Sequence, residues 1–131
     1  MFNTLKKHHI GIIISENMCS DLEKKYCNSF HRDQTQGTRV MFVYDKEMDL
    51  YREYIVKEGR VVNAPLGFAH ICYTVENQKQ FDELESYITE KKVGYPVTQL
   101  EKSGSEECGM VKFYFIKNHG LIELNLETNN D

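Results

Sequence analysis

The segment HHIGIIISEN, residues 8–17, has a counterpart further along the chain in HICYTVEN, residues 70–77. Both contain His-Ile followed by mostly β-branched or apolar residues, and both end with Glu-Asn. Such residues are typical of strands, so each segment predicts a strand, one starting at His9 and the other at His70. In a chain with five histidines, this repetition indicates an internal duplication.

A helix is predicted after each of these strands. Ser20 and Glu23 have the spacing of a capping box in the first half, and Asn77 and Gln80 can cap a helix in the second. The apolar residues at helical spacing are Cys19, Leu22, Tyr26 and Phe30 in the first half and Phe81, Leu84 and Ile88 in the second. Each half therefore continues from strand to helix.

Strand-like sequence follows each helix. The segments are TRVMFVYD and EMDLYREYI in the first half and YPVTQLE, CGMVKFYFI and GLIELNLE in the second. FVYDKEMDL, residues 42–50, aligns with FIKNHGLIEL, residues 115–124, with one insertion, so that Asp49 corresponds to Glu123. We expect an α+β fold of two tandem βαβββ modules, at about residues 5–56 and 66–127, in a single domain spanning residues 1–131.

The two faces of each predicted sheet differ in character, because alternate residues of a strand point to opposite sides. One face is apolar and can be covered by the helix, as with Ile10, Ile12 and Ile14. The residues assigned to the opposite face are His9, Asp49 and Tyr51 in the first half and His70, Cys72, Thr74, Glu123 and Asn125 in the second. Two halves set face to face would bring two imidazoles and two carboxylates into one cavity.

Composition excludes several classes of function. The net charge of −4 offers no positive field for nucleic acid or for an acidic membrane surface. The start, MFNTLKK, lacks the apolar run of a signal peptide, and no segment is long and apolar enough to span a membrane. The four cysteines form no metal-binding spacing, so we expect reduced thiols in a cytoplasmic protein.

Three segments resemble the vicinal oxygen chelate superfamily, which includes glyoxalase I, extradiol dioxygenases, bleomycin-resistance proteins and methylmalonyl-CoA epimerase. HHIGIII resembles the opening strand of that family, GFAHICYTV the midpoint strand and GLIELNL the closing strand. The chain is most similar to the epimerase-like and glyoxalase I-like branch. The resemblance implies curved mixed sheets that form a cup around one divalent metal ion, with the ligand positions falling on His9, Asp49, His70 and Glu123.

This ligand set implies a particular chemistry. Two imidazoles and two carboxylates suit Mn²⁺, Fe²⁺, Co²⁺, Ni²⁺ or Zn²⁺. Four ligands in an octahedral site leave two positions for neighbouring oxygens of a substrate, whose carbonyl the ion would polarise. Glu123 is then the candidate base for a proton next to that carbonyl. Tyr51, Cys72, Thr74 and Asn125 share the inner face and are candidates for the lining of the substrate pocket.

The expected function is a metal-dependent isomerase or lyase that acts on a small molecule, similar to the epimerase or to glyoxalase I. One alternative is a metal-free small-molecule binding or resistance protein of the same fold. Another is an Fe²⁺ extradiol-type dioxygenase, for which two histidines and Glu123 would suffice. A domain that merely dimerises through its strand edges would leave the paired histidines unexplained. Open sheet edges also make a homodimer the default expectation.

Overall fold

The computed structural model describes residues 2–127 of the 131-residue chain. The strands are β1 (Lys6–Ile14), β2 (His31–Asp33), β3 (Thr38–Asp45), β4 (Leu50–Val56), β5 (Gly67–Val75), β6 (Gly94–Pro96), β7 (Glu101–Lys102), β8 (Met110–Ile116) and β9 (Gly120–Leu126). The α-helices are α1 (Cys19–Tyr26) and α2 (Gln78–Glu90). With the two-residue β7 as an addition to the second half, the predicted α+β fold of two βαβββ modules is confirmed.

The chain divides into two compact units, one formed by residues 9–69 and the other by the described residues 70–127 together with 2–8. In the first unit, β1 and β4 pair in parallel, and β4, β3 and β2 follow in antiparallel order. In the second, β5 and β9 pair in parallel, and β9, β8 and β6 follow in antiparallel order, with β7 also on β8. The same strand order therefore recurs in both units.

Each helix covers the apolar face of the strands in its own unit, as the alternation of residues predicts. In the first unit, the buried core includes Ile14, Met41 and Tyr54, and Leu22 of α1 packs against it. In the second unit, the buried residues of the core are Leu5, Val75, Phe81, Leu84, Ile88, Tyr114, Ile116, Ile122, Leu124 and Leu126. The opposite face of each sheet is left to carry the polar residues.

The helix termini agree only in part with the prediction. Helix α2 begins as predicted, because the Asn77 side chain accepts a hydrogen bond of 2.9 Å from the Gln80 amide. The capping box at Ser20 is wrong: α1 begins at Cys19, so Ser20 lies inside the helix, and Glu23 instead accepts a hydrogen bond from the Phe30 amide. A 3₁₀ turn, Glu16–Met18, leads directly into α1 and takes the place of a capped start.

Within residues 2–127, neither α-helix has the length and apolar character that crossing a membrane requires.

Candidate metal centre

A buried histidine and a buried glutamate meet in the first unit. Gly11 of β1 lies opposite Glu53 of β4 in the parallel register. Because His9 shares a face with Gly11, its imidazole reaches the Glu53 carboxylate, and Nε2 lies 3.2 Å from Oε1. Both residues are at most 8% exposed. The pair is therefore held by two adjacent parallel strands, away from water.

The second unit repeats this pair. Cys72 of β5 lies opposite Glu123 of β9, and Cys72 follows His70 by two residues, as Gly11 follows His9. The Nε2 atom of His70 lies 3.1 Å from Oε1 of Glu123, and both side chains are buried. The same donor pair thus occupies the same register position in both units.

A phenylalanine accompanies each pair. Phe42 of β3 lies opposite Glu53, and its ring meets the His9 ring edge to face at 5.3 Å and 88°. Phe113 of β8 lies opposite Glu123 and meets the His70 ring at 5.2 Å and 80°. The repeated arrangement therefore contains three residues, and the aromatic edge limits the rotation of each imidazole.

The predicted strand position of Asp49 is wrong. Asp49 lies in the turn that precedes β4, is exposed and has a left-handed φ of 53°. Its carboxylate accepts a hydrogen bond from the Tyr44 hydroxyl. Glu53, which the sequence analysis did not select, is the first-unit residue that corresponds to Glu123. Phe42 pairs with Glu53 across the strands as Phe113 pairs with Glu123. Phe42 therefore corresponds to Phe113, two residues before Phe115, with which the sequence analysis aligned it.

The candidate pocket residues lie on the faces that strand alternation predicted. Tyr51 lies opposite His9 and is half-buried, while Cys72, Thr74 and Asn125 are buried on the His70 face. Asn125 also has a structural contact, because its side-chain oxygen accepts a hydrogen bond of 2.7 Å from the Gly109 amide. That contact ties the 103–109 loop to β9. A role of these four residues in substrate binding stays a prediction.

The chemistry of the donors fits a divalent ion. In each unit, one imidazole nitrogen and one carboxylate oxygen lie within 3.2 Å of each other. Burying such polar groups is costly unless they share a proton or a cation. A mixed nitrogen and oxygen donor set suits borderline ions such as Mn²⁺, Fe²⁺, Co²⁺, Ni²⁺ and Zn²⁺. The spacing of the cysteines in the sequence offers no thiolate pair that would select a softer ion.

Solved structures share this architecture. The chain superposes on methylmalonyl-CoA epimerase from Mycobacterium tuberculosis with a TM-score of 0.68 at 12% identity, covering 95% of this chain and 89% of that one. A variant of the Streptomyces coelicolor epimerase, in complex with 2-nitronate-propionyl-CoA, gives 0.63 at 17% identity, with 95% and 99% covered. The 2,3-dioxygenase LapB from Pseudomonas sp. KL28 gives 0.62 at 12% identity, covering 95% of this chain and 41% of that one.

These likenesses define the class of fold. The chain has the vicinal oxygen chelate fold, also called the glyoxalase fold, as its sequence resemblance implied. The solved structures named above are enzymes. No protein-family model matches the sequence, and no curated protein matches it significantly. The likeness to these solved structures therefore extends to the fold.

Proposed function

We propose that this protein is a metal-dependent enzyme, an isomerase or lyase that moves a proton next to a carbonyl group of a small oxygenated substrate. The observation that carries the proposal is the buried His–Glu pair that both units repeat in the same register. A single pair is compatible with a structural ion pair. Two equivalent pairs match the ligand pattern that the sequence resemblance implies.

The proposed ligands are His9, Glu53, His70 and Glu123. Glu53 replaces Asp49 in this set because it is buried beside His9, whereas Asp49 is exposed in a turn. That the two pairs share one ion is part of the proposal and rests on the family resemblance. The ion is one of Mn²⁺, Fe²⁺, Co²⁺, Ni²⁺ or Zn²⁺.

The chain's own residues would position the substrate and accept its proton. A bound divalent ion supplies Lewis-acid polarisation of the substrate carbonyl, which acidifies the adjacent C–H. Glu123 is the proposed base, because its carboxylate is buried among the donors and next to His70. Glu53 gives the first unit a carboxylate of the same kind, and an epimerase needs a second proton donor or acceptor. Burial of both pairs excludes competing water.

The proposal is tested by determining whether Glu53 or Asp49 is the carboxylate of the first unit that binds the ion. Calorimetric titration with Co²⁺ or Mn²⁺ should show at least roughly tenfold weaker binding for Glu53→Gln, which keeps the shape but removes the charged ligand. Asp49→Asn should bind like the wild type, within about twofold. Equal binding by Glu53→Gln and the wild type would contradict the proposed ligand set. Proton transfer itself would be measured as deuterium exchange into α-hydroxy-carbonyl and thioester substrates.

A second candidate activity is Fe²⁺-dependent ring cleavage, which the likeness to the dioxygenase LapB supports. Oxygen consumption with a catechol by the Fe²⁺-loaded protein would distinguish it from proton transfer. A protein that binds no divalent ion would instead fit the metal-free binding alternative. The small-molecule substrate, the homodimer and the cytoplasmic location remain parts of the proposal that rest on the sequence.

A further inference from the structure

A row of aromatic rings leads from His9 to the surface of the first unit. Phe42 meets His9, Tyr51 meets Phe42 at 6.0 Å and 86°, and Tyr44 meets Tyr51 at 5.4 Å and 69°. Exposure rises along the row from 6% at Phe42, through half-buried Tyr51, to 47% at Tyr44. The row thus joins a buried donor pair to solvent, as the wall of a substrate path would.

The outer end of the row is held in place. The Tyr44 hydroxyl donates a hydrogen bond to Asp49, and this bond holds the pKa of Tyr44 above its usual range. Asp49 can accept it because the turn places this residue in a left-handed conformation, which an aspartate tolerates better than most residues. A half-exposed ring that is fixed in this way loses little conformational entropy when a ligand packs against it.

The charges around Tyr44 restrict what the ligand can carry. The segment directly after it, residues 45–49, reads DKEMD and contains three carboxylates and one lysine. The nearby Arg52 guanidinium is engaged, lying 3.3 Å from Asp45 and 3.2 Å from the Tyr54 hydroxyl. With Asp45 paired to Arg52, two carboxylates and one lysine remain in this segment, and their net negative charge disfavours a ligand with phosphate groups at this end of the row.

We infer that the substrate of the proposed metal site carries a planar aromatic or conjugated group beside its two neighbouring oxygens, and no phosphate. Tyr44 and Tyr51 contact this group and select for it. Aromatic rings favour an aromatic partner at centroid distances of about 4.5–7 Å through edge-to-face or offset contacts, which an alkyl group cannot form. This inference rests on the proposed function, and it favours an aryl-substituted carbonyl compound over a coenzyme A thioester.

Two small chelators test the inference. Benzohydroxamate and acetohydroxamate present the same two neighbouring oxygens and differ only in a phenyl or methyl group. Titrated by calorimetry into Co²⁺-loaded protein, benzohydroxamate should bind at least about fivefold more tightly than acetohydroxamate. Propionyl-CoA should bind more weakly than either. Equal binding of the two hydroxamates, no binding of benzohydroxamate, or tighter binding of propionyl-CoA would overturn the inference.

Substitutions of Tyr44 and Tyr51 test whether these two residues cause the preference for benzohydroxamate over acetohydroxamate. In Tyr44→Leu and Tyr51→Leu, the ratio of the two hydroxamate affinities should fall to within about twofold of unity, mainly through weaker binding of benzohydroxamate. The matched control is Tyr87→Leu on helix α2, another exposed tyrosine, which should keep the wild-type ratio. A phenyl preference that survives in both row variants would overturn the assignment.

The metal content of the wild type distinguishes a failure of the proposed function from a failure of the inference about the aromatic group. If the wild type holds no ion, the proposed function fails, and the same titrations of the metal-free protein still decide the inference. An aryl-binding site without a metal would then be supported by two results. The metal-free protein would bind benzohydroxamate much more tightly than acetohydroxamate, and Tyr51→Leu would weaken the binding of benzohydroxamate. If the ion is present but the phenyl preference is absent, the inference fails while the proposed function stands.

Discussion

At the scale of single residues, Phe113 supports the His70–Glu123 pair from the neighbouring strand. Replacing it with Leu removes the edge-to-face contact of 5.2 Å with the imidazole. We expect Phe113→Leu to lower the free energy of unfolding by about 1 kcal/mol and to weaken binding of the ion, because the imidazole gains rotational freedom. Urea denaturation and calorimetry would measure the two effects.

Phe115→Leu is the matched control, since Phe115 lies on the same face of the same strand but is 39% exposed and stacks on Tyr95, not on a histidine. Its effect on stability should stay within about 0.5 kcal/mol, and metal affinity should not change. Equal losses in the two variants would show that Phe113 contributes only apolar area.

The position of the first-unit carboxylate beside His9 could not be predicted from the sequence alone. Strand alternation assigned His9, His70 and Glu123 to the polar faces, since a period of two is readable from a single sequence. The same period hides a displacement by an even number of residues, here two at the phenylalanine and four at the carboxylate, because such a shift keeps every side chain on its face. The β3–β4 hairpin has a four-residue turn and the β8–β9 hairpin a three-residue turn. The alignment placed its one insertion in the second half, whereas the extra turn residue lies in the first half, and this error contributed to the choice of Asp49 in place of Glu53.

At the scale of secondary-structure elements, the two helices begin differently and should respond differently to mutation. Asn77→Ala removes the side chain that accepts a hydrogen bond from the Gln80 amide, so it should cost about 1 kcal/mol of stability. Ser20→Ala should be neutral or slightly stabilising, because Ser20 lies inside α1 and alanine has the higher helix propensity. Chemical denaturation of both variants checks this. A loss of stability in Ser20→Ala that exceeds the loss in Asn77→Ala would show that Ser20 does cap α1.

Contacts between helix α2 and strand β8 predict a stability that depends on pH. Lys112 and the Tyr114 hydroxyl both donate to Oε2 of Glu85, the latter at 2.5 Å. These bonds, Lys112 first, lower the pKa of Glu85 below its ordinary value of 4.5. Their stabilisation is therefore complete above about pH 4.5 and is lost as the pH falls through the lowered pKa.

The stability of the wild type is compared with that of Glu85→Gln, which removes the charge of this side chain. The wild type should exceed it in stability at pH 7, by less than about 1 kcal/mol because the Glu85 side chain is partly exposed. The difference should shrink as the pH falls below about 4.5. Unfolding curves measured from pH 7 to pH 3 would show this, and a difference that stays constant over the range would contradict the assignment.

The shortest strands were predicted only in part, for a physical reason. The segment YPVTQLE, predicted as one strand, overlaps the short strands β6 and β7, and no segment was predicted for β2. Strands β1, β5 and β9 are seven or nine residues long, and their alternation is clear. Strands β2 and β6 have three residues each and β7 has two, too few for a period to show. They exist because a longer neighbour supplies hydrogen bonds to them, and this information is not local in sequence.

At the scale of the whole molecule, duplication gives each unit its own set of paired strands, its own helix and its own buried His–Glu pair. A buried pair of this kind stabilises a fold only weakly on its own, because desolvation offsets most of the attraction between the charges. Its repetition in both units is therefore better explained by a ligand than by stability. That both pairs bind one ion is the central proposal, and it rests on the family resemblance.

Native mass spectrometry of the intact chain tests that claim most directly. Protein incubated with Co²⁺ or Mn²⁺ should carry one ion per chain, and both His9→Ala and His70→Ala should lose it, because each unit would supply half of the proposed ligands. Circular dichroism of the two variants would confirm that they are folded. Two ions per chain, one ion that survives the loss of either histidine, or no ion in the wild type would contradict the account.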